Sequence, residues 1–212
     1  NTGDEGYRLN AGDKDKKTTV IHNGKITVNN GKGIVLNVAE KKLGDNILTN
    51  NSAGQITING GIGVELYAEN ENGGKNTFTN NGKIITNNNA IGIKIGHNGT
   101  VTNTEKGTIT VNNGTGVIIK NKTSSFINNG KLNINNGKGI ELKQGTFINT
   151  GVDKGIYITG ENSIGINQIN GTANNAGLIK SEVGTTAIQL SNGIFNNIEN
   201  GIIENSGNIN VL

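Results

Sequence analysis

A beat of the form Gly-x-Ile-x-Val/Ile recurs along this chain, followed each time by Gly-Ile/Val-x-Leu/Ile. It reads Gly24-Lys25-Ile26-Thr27-Val28 with Gly33-Ile34-Val35-Leu36, then Gly54-Gln55-Ile56-Thr57-Ile58 with Gly63-Val64-Glu65-Leu66. It returns as Gly107-Thr108-Ile109-Thr110-Val111 with Gly116-Val117-Ile118-Ile119, and as Gly130-Lys131-Leu132-Asn133-Ile134 with Gly139-Ile140-Glu141-Leu142. A unit this short cannot bury its apolar face alone; it must stack on its neighbours. The pattern therefore predicts a solenoid rather than a globule, and a surface scaffold rather than an active-site cleft.

The 212 residues include 34 Gly and 41 Asn, with no Pro, Cys, Met or Trp. Such a composition would suit a disordered chain if the apolar residues were scattered, but they sit at fixed offsets. Ile supplies most of the apolar mass and favours extended backbone, while Gly and Asn tolerate the positive φ of tight turns. The chain reads as all-β. Its net charge is only +3, and 18 Lys with the single Arg8 are spread over many turns rather than gathered on one face with aromatics. That distribution argues against nucleic acid as a partner. Zero Cys excludes disulfide staples and thiolate metal sites.

A third segment, apolar-x-Asn, precedes each pair. It appears as Leu48-Thr49-Asn50, Phe78-Thr79-Asn80, Val101-Thr102-Asn103, Phe126-Ile127-Asn128, Phe147-Ile148-Asn149 and Phe195-Asn196-Asn197. Val20-Ile21-His22 and Ala173-Asn174-Asn175 fill the slot in the first and seventh units. Three short strands per unit, with units of roughly 21 to 30 residues, predict a right-handed parallel β-helix of about eight coils. Coils spaced at roughly 4.8 Å would give a rod on the order of 40 Å long. Residues 1–212 read as a single β-helix segment. Gly6-Tyr7-Arg8-Leu9 and Asn208-Ile209-Asn210-Val211 both look like part-units, so the segment is expected to belong to a longer solenoid with strand edges open to pairing at each end.

Period-2 alternation assigns directions. Ile26, Ile56, Ile84, Ile109, Leu132, Ile156, Ile179 and Ile203 should form one internal column. Ile34, Val64, Ile93, Val117, Ile140, Ile166, Ile188 and Ile209 should form a second, with Leu36, Leu66, Ile95, Ile119, Leu142, Leu190 and Val211 beside it. Phe78, Phe126, Phe147 and Phe195 share an inward slot and should be core. Asn50, Asn80, Asn103, Asn128, Asn149, Asn175 and Asn197 have the same inward parity. They are either a ligand-binding stripe or an internal ladder of stacked amides; the need to hydrogen-bond any inward amide favours the ladder. Gln168, Ala173 and Ser181 take slots filled elsewhere by larger apolar residues, which predicts a weaker layer there.

These features together resemble the passenger domains of Gram-negative type V autotransporters. The Asn/Lys/Ile bias is similar to that of the large fusobacterial autotransporter adhesins. The resemblance covers essentially the whole chain, although its motif marks architecture better than any one member. It implies a non-catalytic cell-surface adhesin passenger, exported through a C-terminal outer-membrane barrel outside this segment. It implies host glycans, host receptors or other bacteria as partners, no cofactor, and no direct membrane contact by this segment. Absence of Cys fits such export. Filamentous haemagglutinin-type exoproteins share a similar beat, with shorter units.

Two alternatives remain open: a pure spacer with recognition elsewhere, and a carbohydrate-active β-helix enzyme. Such enzymes need clustered carboxylates, either around Ca²⁺ or placed about a water apart across a cleft. Here Asp4, Asp13, Asp15, Asp45 and Asp153 never occupy one column on successive coils. Glu65 and Glu141 share an outward slot but are separated by Lys94 and Ile118. His22 and His97 lie in different turns, and Asp13-Lys14-Asp15 lacks the repeat of Ca²⁺-binding solenoids. No catalytic or metal site is expected. Outward Glu65–Lys94 and Lys180–Glu204 should be cross-coil pairs. Candidate binding residues lie in the long early loops Asn10–Thr19, Asn37–Ile47 and Tyr67–Thr77, since insertions in a solenoid gather on one edge. The best are Tyr67, Glu69, Asn70, Glu71 and Lys75, with outward Tyr157 as a second exposed aromatic.

Overall fold

The structure is a computed structural model that describes residues 5–211; Asp4 and Leu212 lie outside the described residues. All regular structure is strand, and the paired strands run parallel in two sheets that wind as a β-solenoid of about eight turns. The first face is an eight-stranded sheet made of Lys17–His22, Asp45–Asn50, Asn76–Asn80, Gly99–Asn103, Ser125–Asn128, Thr146–Asn149, Thr172–Asn175 and Ile194–Asn197. The second and third faces belong to one fifteen-stranded sheet. They join because Lys83–Ile95 and Thr108–Ile119 run through the corner that separates two strands in other coils. Asn88 and Asn89, with φ of 50° and 60°, bend the first of these. Asn113 and Gly114, at 98° and 127°, bend the second through a bulge. Left-handed residues turn the chain there without breaking its pairing, so these coils depart from the expected three separate strands.

The core is one continuous cluster. Leu48, Phe78, Val101, Phe126, Phe147 and Ala173 stand in register on the first face and are fully buried. Phe126 and Phe147 stack with ring centroids 5.6 Å apart. Ile56, Ile84, Ile109, Leu132, Ile156 and Ile179 form the second-face column, and Ile34, Val64, Ile93, Val117, Ile140, Ile166 and Ile188 the third. Each such side chain contributes about 1.5–3 kcal/mol on burial. Column members in the end coils are different. Ile26, Phe195 and Ile203 are half-buried, while Ile209 and Val211 are exposed, because no coil stacks beyond them among the described residues.

The third face needs a glycine in nearly every coil. Gly33, Gly63, Gly92, Gly116, Gly139 and Gly165 each follow the last inward residue of the second face, which presses against them. A Cβ on Gly139 would lie 2.4 Å from Ile134 Cδ1 and 2.6 Å from the Gly165 carbonyl oxygen. Ala187 takes this place in the next coil and is itself fully buried.

Coil lengths vary, yet the columns stay aligned. Successive inward Asn residues are 30, 23, 25, 21, 26 and 22 positions apart along the chain. The extra residues of the early coils sit in the loops between third and first faces. Those loops stack as well: Gly44 N–H donates to Gly12 O, Gly74 N–H to Lys42 O, and Ala11, Val38 and Ala68 bury a small apolar patch beneath them.

Candidate functional site

The inward Asn column is a hydrogen-bonded ladder. Asn50 Nδ2 donates to Asn80 Oδ1 at 2.7 Å, Asn80 to Asn103 at 2.8 Å, and Asn103 to Asn128 at 2.9 Å. Asn128 continues to Asn149 at 2.9 Å, Asn149 to Asn175 at 2.8 Å and Asn175 to Asn197 at 2.7 Å. The spare amide protons reach turn carbonyls such as Gly130 O and Gly177 O. From Asn50 to Asn175 these amides are fully buried, so they are structural and face no ligand; Asn197 is exposed. His22 stands in register above Asn50 but turns its Nε2 towards Gln55 O at 3.4 Å. Two further amide rows were not visible as such in the sequence. Buried Asn46 donates to Asn76 at 2.9 Å, and the turn residues Asn29, Asn59, Asn87 and Asn112 form a partly exposed row.

The surface chemistry concentrates at the corner between the third face and the stacked loops. A groove of about 410 Å³ runs there, lined by Lys32, Glu65, Tyr67, Glu69, Lys94, His97, Lys120 and Asn121. Parity makes Glu65 point outward, yet its side chain is only 4 % exposed, because two lysines close over it. Lys94 Nζ approaches one carboxylate oxygen at 2.6 Å and Lys32 Nζ the other at 2.7 Å. Burial pushes the Glu65 carboxyl up, but the two ammonium groups outweigh it and hold the group below its ordinary value. The Glu65–Lys94 pair read from the sequence is present, with Lys32 as an added diagonal partner; Lys180 also pairs with Glu204, at 2.7 Å.

Around this anchor stand Tyr67, His97, Asn121 and Lys120, of which Tyr67 and Lys120 are exposed. Tyr67 is 43 % exposed at the end of its strand, opposite Asn37 of the coil above. Asn121 Nδ2 donates to His97 Nε2 at 3.0 Å, while His97 Nδ1 is buried with no partner among the described residues. Lys120 is exposed at the groove's lower edge. An aromatic face beside amide, imidazole and ammonium groups can hold a polar, hydroxylated ligand.

Of the residues singled out from the sequence, Tyr67 and Glu69 line the groove and the others do not. Asn70 Oδ1 accepts from Asn72 N–H at 3.0 Å and so shapes the loop tip. Glu71 pairs with Lys122 at 3.0 Å, and Asn98 donates to the Glu71 and Gly73 carbonyls, so the loop is tied to the next two coils. Exposed Lys75 has its backbone N–H bonded to Asp45. Tyr157 is elsewhere: it stands on the second face, with Lys131 Nζ 4.9 Å from its ring centre and its hydroxyl donating to Asp153 O. The sequence reading missed Lys32, His97, Lys120 and Asn121. Column alignment on the outward face was the available signal, and loops of unequal length obscured it.

Among the described residues no three His, Cys, Asp or Glu side chains converge as a metal-binding group, and no helix is long and apolar enough to cross a membrane. Comparison of the chain with family models, with curated proteins and with solved structures returned no match.

Proposed function

We propose that this chain is a rod-like stretch of a cell-surface adhesin passenger of the autotransporter type, non-catalytic, presenting its stacked-loop edge for adhesion to host cells or other bacteria. The observation that supports it best is where the chain spends its variation. The interior repeats a fixed set of columns, while the longest insertions of the early coils, 11–16, 39–44 and 69–75, fall in one row of loops beside an open polar groove. A scaffold that keeps its core constant and varies one edge suits recognition of an external surface. Surface glycans and glycoprotein receptors fit a groove that sets the Tyr67 ring beside Lys120, Glu69 and Asn121, and bacterial outer-surface localisation belongs to the same reading.

The non-catalytic part of the proposal rests on the carboxylates. Glu65, the most buried acid, is neutralised by two lysines rather than poised for proton transfer, and Glu141 is drawn to Lys143 at 2.9 Å. One observation favours a plain spacer: the loops are stitched to one another and to Asn98, as they would be if they only closed the edge of the rod.

The deciding experiment measures binding of the chain to a glycan array and to whole host and bacterial cells. A companion variant has residues 69–74 replaced by a short Gly/Ser turn. Saturable binding that this variant loses, with its circular dichroism unchanged, would support the adhesin reading. Absence of binding by the parent chain would leave the spacer.

A further inference from the structure

The outer surface of the first face differs from every other surface of this rod. Its eight strands each present two central outward side chains, sixteen in all, in two straight columns. One column runs Thr19, Ile47, Thr77, Thr100, Ser125, Thr146, Thr172 and Ile194. The other runs Ile21, Thr49, Thr79, Thr102, Ile127, Ile148, Asn174 and Asn196. None is charged and none is aromatic, in a chain whose composition is 17 % charged. Charge resumes at the margin, at Lys17, Asp45 and Lys75. The second face, by contrast, carries Lys25, Lys83, Lys131 and Lys180, and the third Arg8, Lys32, Lys94 and Lys138.

Ordinary soluble surfaces mix both signs of charge over such an area, roughly a quarter to a third of positions. Lone β-propensity would favour Thr and Ile here, but it does not remove Lys and Glu from this sheet while leaving them on its neighbours. The side chains are also underused within the chain. Ser125 Oγ donates to Thr100 Oγ1 at 3.3 Å and Asn196 to Asn174 at 2.9 Å; the other hydroxyls of the two columns make no side-chain hydrogen bond among the described residues.

We propose that this face is where two copies of the chain pair, face to face about a two-fold axis. The chemistry narrows the occupant. Without aromatic side chains it offers no platform for sugar rings, and without cations it offers nothing to phosphate or an anionic lipid surface. A second copy fits on both counts. Two-fold pairing sets the same uncharged rows against each other, so no like charges meet, and β-branched side chains of two sheets can interdigitate at about 10 Å. Size agrees as well. Eight strands at about 4.8 Å and four to six residues at about 3.3 Å give a footprint on the order of 600 Å² per copy. Two such footprints exceed the roughly 1,000 Å² that a specific interface needs, near its lower limit. A footprint near that limit suits a reversible pairing, read as a concentration-dependent equilibrium. It is lateral, and distinct from end-to-end pairing of open strand edges.

Sedimentation equilibrium across a concentration series tests it. The parent chain should show a monomer–dimer equilibrium. The Thr102→Lys/Ile127→Lys variant, whose changes sit at the middle of the face, should weaken that equilibrium by at least about tenfold through like-charge contact. A control variant, Thr57→Lys/Thr110→Lys on the second face, should dimerise like the parent. Because the chain has no Cys, Thr102→Cys should cross-link as a disulfide dimer under mild oxidation and Thr110→Cys should not. A strictly monomeric parent at millimolar concentration would overturn the proposal. So would association that survives Thr102→Lys/Ile127→Lys, or a monomeric parent whose first face binds a neutral glycan or ice and loses that binding in the same variant. Circular dichroism of each variant establishes that it is folded.

Discussion

The carbonyl oxygen of Ala187 lies 2.6 Å from the point where a Cβ on Gly165 would be. This relationship explains the glycine column of the third face and its single exception. Each glycine is pinned between an inward side chain of its own coil and a carbonyl of the next. At Ala187 both restraints are relaxed. The residue standing in the Ile158 slot is Ser181, which is smaller, and the next coil skips a position: Thr186 and Ile188 pair with the consecutive residues Asn208 and Ile209.

Gly139→Ala should therefore destabilise the rod by about 1–3 kcal/mol, the range for overpacking a closed core. Ala187→Gly should cost about 1 kcal/mol, from one buried methyl lost and a freer unfolded chain. Urea unfolding of the two variants checks this, and equal midpoints would remove the argument.

The ladder gives a second expectation. Asn103→Ala removes the acceptor of Asn80 and the donor to Asn128, leaving buried amide groups unpaired on both sides. The loss should be about 2–4 kcal/mol, with water unable to compensate at fully buried positions. Asn103→Asp should be at least as damaging above pH 5, because its carboxylate can only accept and would confront the Asn128 oxygen. Recovery of stability on acidification of the Asp variant, measured by thermal melts from pH 7 to 4, would mark that cause.

Glu65 ties stability to pH. Its carboxyl is held below the ordinary value of 4.5, so the folded state favours the ionised form. That contribution is fully present above the unfolded value and is lost as pH falls through the folded one. Melting temperature should thus drop below about pH 4.5 by more in the parent than in Glu65→Gln, whose profile should be flatter there. At pH 7, Glu65→Ala should cost about 1–2 kcal/mol. This allows for the partial exposure of Lys32 and Lys94, which reach water once released.

Gln168 offers a stabilising change. Its side chain is fully buried in a column otherwise of Leu, Ile and Val; Nε2 donates to the Gly171 and Ile194 carbonyls, but Oε1 has no partner among the described residues. Gln168→Leu should stabilise by up to about 1 kcal/mol, because an unpaired buried oxygen is removed and apolar contact is gained. Amide exchange in the parent should also be faster around residues 164–181 than around 109–119. Equal protection in the two layers would count against a weak coil.

Much of the architecture is readable from the residues alone. Alternation with period two is local, so it assigns Ile56, Ile84 and Ile109 to one column and Asn50, Asn80 and Asn103 to another. The Glu65–Lys94 and Lys180–Glu204 pairs followed from the same alignment. What tertiary structure decided is the fate of outward side chains. Glu65 is buried because Lys32 leans in diagonally from the coil before and Lys94 from the coil after, and parity cannot express a diagonal. His97, Lys120 and Asn121 join Tyr67 because the loops stack with hydrogen bonds across coils, closing up insertions of unequal length. Tyr157, read from alternation as outward on the second strand, does stand there, away from Tyr67. Inward positions are set by chain geometry that each strand carries within itself. Outward environments depend on which neighbours reach over them, and only the assembled coils determine that.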